Sequence, residues 1–197
     1  MLAADGRRSS PPRELNMQLI SERLAMRPVV AQDRETLMRI YGDPATNSFN
    51  PAGPLANLDE AQQLLDRWIA HWQQHGFGNM ALTQRDAPHA ILGFGGLTLR
   101  EFGGRPVNNL GYRLATHAWG QGLATEFARA MVRYGFEECG LQVIDAAVRA
   151  NHLASQRVLE KAGFTVNGNV YDVPDAPASL TFAITRAQWR AAQGTPQ

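Results

Sequence analysis

With 197 residues and 19 basic against 18 acidic side chains, the chain has a formal charge of only +1 and the size of one domain, able to bury roughly 70 percent of its unfolded surface. The near-zero charge balance gives no bulk attraction to a phosphate backbone, so no nucleic-acid partner is expected, and the apolar runs fall short of the ~20 residues of a membrane span. The lone Cys139 forms no internal disulfide and completes no zinc set with the scattered histidines, so no metal and a cytoplasmic location are expected.

Residues 1–16, with Arg7, Arg8, Ser9, Ser10, Pro11 and Pro12, read as a disordered tail, followed by a single domain over 17–192 and a frayed end over 193–197. Leu19 to Pro28 alternates as a first strand, and Asp33 stands as N-cap of a short helix reaching Tyr41 with Leu37, Met38 and Ile40 inward. The stretch 42–56, with Pro44, Pro51, Gly53 and Pro54, is a loop of a length usually reserved for binding. Asn57 and Glu60 have capping-box spacing at the head of a helix whose stripe runs Ala61, Leu64, Leu65, Trp68, Ile69 and Trp72, ending at Gly76. Tryptophans at this spacing are core side chains. Two strands, 78–84 and 90–100, form a hairpin around 85–89, and a glycine turn at 101–106 leads into a third strand, 108–114.

The centre of the chain is NNLGYRLATHAWGQGLATE, residues 108–126. The strand gives way to Gly120 and Gly122 and then to a helix over 124–139 with Phe127, Ala128, Met131, Val132, Tyr134 and Phe136 at helical spacing. Glycines just before a helix let the backbone approach a ligand, and the unpartnered first-turn N–H groups favour an anion such as a pyrophosphate. After Gly140, the run 142–148 is a β-branched strand, and right-handed crossover sets it parallel to 108–114, with the glycine turn at the carboxyl ends. A helix over 152–162, strands over 164–170 and 179–185, and a short helix capped by Thr185 complete the chain. Asp145 reads as a paired structural carboxylate.

Three separated segments, SERLAMRPVVAQDRETLMRIYGDPATN at 21–47, LGYRLATHAWGQGLATEFARAMV at 110–132 and SQRVLEKAGF at 155–164, resemble the GCN5-related N-acetyltransferase (GNAT) family in its RimJ/RimL-like branch, that of the ribosomal-protein N-terminal acetyltransferases. The resemblance, covering about residues 17–185, implies an α/β (α+β) fold: a twisted, mostly antiparallel mixed sheet of about seven strands splayed into a V, flanked by about four helices, with acetyl-CoA in the V. It implies that the backbone of Leu114 holds acetyl and pantetheine amides, and that Gly120, Gln121, Gly122, Leu123, Ala124 and Thr125 wrap the pyrophosphate. It also implies that Ser155 sits near the cofactor sulfur as the catalytic hydrogen-bond donor, with a first-turn helix serine as the structural alternative.

The chain departs from the family pattern in four places. Trp119 holds the loop position usually given to Arg or Gln, Asn109 the place of a glutamate, and Leu159 that of a tyrosine. The family asparagine stands three residues before the serine and Asn151 four, so either a bulge restores Asn151 to the pantetheine or His152 replaces it. His75, His117, His152 and Glu101 are candidate bases by residue type, while Tyr112 and Arg113 read first as strand packing. The expected activity is acetyl transfer from acetyl-CoA to a primary amine, a protein N-terminus or a small molecule, without metal, nucleic acid or membrane and compatible with a homodimer. The alternative is a GNAT-fold protein that holds an acyl-CoA without turnover. The 42–56 loop and the 101–107 turn are expected on the acceptor side.

Overall fold

The computed structural model describes residues 17–173 and 175–194; the expected tail over 1–16 and residues 195–197 of the frayed end lie outside them. The first strand is two: Leu19–Ile20 (β1) and Leu24–Pro28 (β2) pair antiparallel, with Leu19 opposite Met26. The chain reverses at Ser21–Arg23, where the Ser21 N–H donates to the Leu24 carbonyl at 2.9 Å. This reversal raises the sheet to eight strands, one more than the sequence predicts.

Helix α1 (Arg34–Tyr41) buries Leu37 and Ile40. Asp33 precedes it, but its carboxylate turns back to the Val30 N–H (2.9 Å) and the Arg27 guanidinium (2.7 and 2.8 Å) instead of capping. The loop that follows contains a 3-10 turn, Pro44–Asn47. Asn57 caps helix α2 (Leu58–His75) by accepting from the Glu60 N–H at 2.9 Å, and Glu60 accepts from the Ala56 N–H at 2.9 Å, one residue earlier than a capping box requires. The Trp72 indole donates to the Asn79 carbonyl at 2.6 Å, fixing α2 against the next strand as a core element.

Strands β3 (Asn79–Gln84), β4 (Ala87–Phe102) and β5 (Arg105–Leu114) form a meander. The first hairpin turns on Arg85–Asp86 alone, tighter than predicted, with Gln84 opposite Ala87. The second turns on Gly103–Gly104, both at positive φ, the two-residue turn that matches strand twist. Helix α3 (Leu123–Glu137) then crosses to β6 (Val143–Arg149), parallel to β5. Helix α4 (Leu153–Lys161), β7 (Thr165–Val170), β8 (Ser179–Thr185) and α5 (Arg186–Gln193) complete the order β1-β2-β3-β4-β5-β6-β8-β7, antiparallel except at β5–β6. Thr185 and Gln188 form a reciprocal capping box on α5, the short terminal helix expected after Thr185.

Alternation along the strands gives the sheet two apolar faces. Ala81 and Phe94 face Leu37, Ile40 and Leu65 of α1 and α2, while Met80, Leu82, Leu97 and Leu110 join Phe127 and Met131 of α3 in the larger core. Fully buried side chains of this size stabilise by about 1.5–3 kcal/mol each. Asp145 is the predicted paired carboxylate: 3% exposed, it accepts from the Arg105 guanidinium at 2.8 Å.

Candidate active site

Strands β5 and β6 share one register pair, Asn109 opposite Asp145. From there towards their carboxyl ends they part. β4 pairs with β5 as far as Leu114, and β8 pairs with β6 as far as Arg149, so each arm is held on its outer side only. The backbone groups that face inward on each arm lack a ladder partner, and the result is an open wedge lined by peptide donors and acceptors.

The loop at 42–56 spans the wedge. Arg113 Nη1 donates to Asn47 Oδ1 at 2.5 Å and the guanidinium lies 4.2 Å over the Tyr41 ring, tying the loop to β5. Asn47 Nδ2 in turn donates to the Tyr41 and Asp43 carbonyls, both at 2.8 Å. Two residues on, Phe49 stacks on His152 with ring centroids 3.9 Å apart and planes at 12°, which joins the loop to the residue preceding α4. Sequence reading of Arg113 as packing missed this role, whose partner is 66 positions away.

The glycine loop closes the other side. The chain leaves Leu114 through a 3-10 turn, Thr116–Ala118, and the Trp119 indole donates to the Leu114 carbonyl at 2.9 Å. That carbonyl keeps a second lone pair for another donor. Gly120 and Gly122 have φ of 74° and 76°, a region that costs other residues about 1–2 kcal/mol. The first bond of α3 runs from the Glu126 N–H to the Gly122 carbonyl at 3.1 Å, so the N–H groups of Leu123, Ala124 and Thr125 have no acceptor within the helix. A Cβ built on Gly120 would meet nothing within 4 Å, which leaves that side of the loop open.

A third feature comes from the amino-terminal hairpin, where the sequence gives no local signal. Glu126 accepts from Ser21 Oγ (2.6 Å), the Arg23 N–H (2.7 Å) and Arg23 Nε (2.7 Å), while Arg23 Nη1 donates to the Gln121 carbonyl at 2.9 Å. Burial pushes the Glu126 carboxyl up, but the bonds from Ser21 and Arg23 and the Arg23 charge outweigh it and hold the group below its ordinary value. Gln121 itself donates from Nε2 to the His117 carbonyl at 2.7 Å.

Ser155 stands in the first turn of α4, with its hydroxyl 3.1 Å from that of Tyr112 on β5, so a hydrogen bond joins the two arms. Burial pushes the Tyr112 phenol up to about 12 against the opposing bond to Ser155, so it stays protonated throughout the physiological range, and either hydroxyl can donate to the other. Leu159 is buried in the core, and the hydroxyl that meets Ser155 is that of Tyr112 on β5. Asn151 lies exposed in the turn before α4. His152 is the N-cap of α4; burial lowers its pKa, and among the described residues its enclosed Nδ1 has no hydrogen-bond partner.

The other candidate bases are not brought to this group by any hydrogen bond. The His75 ring lies tilted against those of His71 and Phe77 at the end of α2, His117 lies exposed in the 3-10 turn, and Glu101 is exposed near the β4–β5 turn. Among the described residues no group of three or more His, Cys, Asp or Glu could hold a metal ion, and no helix is long and apolar enough to cross a membrane.

The family model described as the acetyltransferase (GNAT) domain matches residues 23–165. The "Uncharacterized N-acetyltransferase YoaA" of Bacillus subtilis is 26% identical over 152 residues, covering 76% of this chain and 84% of its own. Among solved structures, an acetyltransferase from Agrobacterium tumefaciens superposes with a TM-score of 0.72 at 21% identity, covering 93% of this chain and all of its own. The aminoglycoside acetyltransferase AAC(6')-Ib, solved with acetyl-CoA and paromomycin, superposes with a TM-score of 0.72 at 18% identity over 88% of this chain and 99% of its own. The open wedge, the left-handed glycine loop at the start of α3 and a family match over most of the chain agree: the protein belongs to the GNAT family and is an acetyltransferase.

Proposed function

We propose that this enzyme transfers an acetyl group from acetyl-CoA to a primary amine, within the RimJ/RimL-like branch suggested by the segments at 21–47, 110–132 and 155–164. The observation that carries the reading is the wedge between β5 and β6 with the glycine loop beside it. Two glycines in the left-handed region, three first-turn N–H groups and open space beside Gly120 suit a pyrophosphate. The unpaired inner edges of β5 and β6 suit a slender chain of amides such as pantetheine.

Bound acetyl-CoA supplies an activated acetyl thioester. The protein's part is then to bind, orient and supply protons. Residues Gly120–Thr125 hold the pyrophosphate, and the Leu114 backbone takes an amide through its remaining lone pair. Of the two candidates before α4, the buried and unpartnered Nδ1 of His152 favours His152 over the exposed Asn151 as the pantetheine contact. Ser155 Oγ holds a proton for the sulfur, and its bond to the Tyr112 hydroxyl supplies a donor behind it. Inner-edge N–H groups stabilise developing oxyanion charge, an effect of about 2.7–4 kcal/mol in other acyl transfers. An α-amine, with an ordinary pKa of about 7.7–8.0, is partly neutral near pH 7 and needs less help from a base than a lysine at about 10.4. The bridging loop with Asn47 and Phe49, on the side of Arg113, forms the acceptor wall.

Acetyl-CoA at about 100 times its dissociation constant should stabilise the protein by roughly 2.7 kcal/mol, and mass spectrometry of a mixed amine panel should reveal the acetylated product. No stabilisation by either acetyl-CoA or CoA would remove the reading. Binding without thiol release across the panel would favour the non-catalytic alternative.

A further inference from the structure

We infer that Arg23, in the turn between β1 and β2, is a positioning residue for the donor's pyrophosphate: braced by Glu126, it fixes the plane of the Gln121–Gly122 peptide so that the Gly122 N–H faces the anion. The inference rests on the reading of residues 120–125 as the pyrophosphate loop. A trans peptide sets its carbonyl and its N–H on opposite sides of the chain. Arg23 Nη1 holds the Gln121 carbonyl at 2.9 Å on the hairpin side of the loop, so the Gly122 N–H points the other way.

The loop needs such a device because of what makes it a loop. Glycine populates positive and negative φ about equally, so the peptide before Gly122 can rotate to present either its carbonyl or its N–H. A carbonyl turned inward would repel an anion. A charge-assisted hydrogen bond of this kind biases such a choice by roughly ten- to a hundredfold. The arginine is itself held: Nε donates to Glu126 Oε2 at 2.7 Å, its own N–H to Oε1 at 2.7 Å, and Ser21 Oγ to Oε1 at 2.6 Å. Glu126 sits in the first turn of α3, beside the anion site, where a bare carboxylate would compete with a bound phosphate. Arg23 neutralises it. One side chain thereby aims a donor and cancels an opposing charge, and both contacts join residues 98 to 103 positions apart.

The test compares acetyl-CoA with S-acetylpantetheine, which lacks the pyrophosphate, in calorimetric binding and thiol-release kinetics. Arg23→Gln keeps the Ser21 and backbone N–H bonds to Glu126, so the hairpin stays anchored, and Arg23→Lys serves as a second variant that cannot make the fork. Arg39→Gln, an exposed arginine bonded to Thr36 on α1, is the control for lost surface charge. Arg23→Gln should weaken acetyl-CoA about tenfold or more, as dissociation constant and as KM, with kcat nearly unchanged and S-acetylpantetheine unaffected. Adding Glu126→Gln should recover part of the loss by removing the carboxylate that Arg23 no longer neutralises. Equal losses for both donors, or wild-type affinity for acetyl-CoA in both Arg23 variants, would overturn the inference while the loop assignment stands. Failure of the wild-type protein to bind acetyl-CoA would overturn the loop assignment and this inference with it.

Discussion

The pair Arg105–Asp145 joins the two arms at the base of the wedge, and removing one partner should cost far more than removing both. Asp145 is 3% exposed and its partner guanidinium 57% exposed, with 2.8 Å between Nη2 and Oδ1. Hydrogen bonds to charged groups contribute about 1.5–3 kcal/mol, and the watery side of the arginine places this one near the lower end. Arg105→Ala leaves a buried carboxylate without its cation and should destabilise the protein by about 1.5–2 kcal/mol. For a domain of this size that is a fall in Tm of roughly 3–8 °C. Asp145→Val suits a strand position and removes the charge, so Arg105→Ala/Asp145→Val should be more stable than Arg105→Ala alone. Urea and thermal melts of wild type, both single variants and the double variant close the cycle, with an expected coupling of about 1 kcal/mol. Additive effects, or an Arg105→Ala protein indistinguishable from wild type, would refute the argument that a buried charge is being compensated.

Tyr112→Phe keeps the edge contact with Phe127 at 6.0 Å and loses only the bond to Ser155; stability should drop by about 0.5–1.5 kcal/mol, and kcat should fall with little change in KM for acetyl-CoA. Because the phenol titrates at about 12, variant and wild type should give pH–rate profiles of the same shape between about pH 6 and 10. His71 Nε2 accepts from the Leu99 N–H at 3.0 Å, so Nδ1 carries the proton and donates to the Phe77 carbonyl at 2.8 Å, and burial lowers the pKa of this neutral ring. Its depressed folded value means that the unfolded chain binds the extra proton first: stability is full above about pH 6.5, falls as pH drops below it and levels off beneath the folded value. Melts across that range should show a shallower slope in His71→Gln, with His152, which burial also lowers, contributing in the same direction. Gly122→Ala places its Cβ 3.6 Å from Arg23 Nη2, an ordinary contact, so its cost is the backbone term of about 1–2 kcal/mol, and thermal melts with and without acetyl-CoA should show lower stability and weaker binding.

What could be read from the sequence was what short stretches encode alone. Asn57 caps α2, Thr185 caps α5, and the glycines before Leu123 open a helix start, because each signal is complete within a few residues. The wedge followed from connectivity, since a strand–helix–strand crossover sets β5 and β6 parallel. The reversal at Ser21–Arg23 was illegible because its acceptor, Glu126, lies across the molecule. For the same reason the Tyr112–Ser155 bond, 43 positions apart, and the Arg113–Asn47 bond were invisible to spacing rules. The family's glutamate place is filled by Asn109, whose register partner Asp145 is already committed to Arg105, so a carboxylate stands there without being free to act as a base.

An unpaired strand edge is ordinarily a hazard, since it can recruit a strand from another molecule. Besides the outer edges of β1 and β7, this sheet has unpaired edges inside it, between β5 and β6. The loop joined through Phe49 to His152 roofs the gap on one side, and the Tyr112–Ser155 bond crosses it on another. The recess that leaves these main-chain donors and acceptors unpaired is thus less open to a strand from another copy than a rim edge would be.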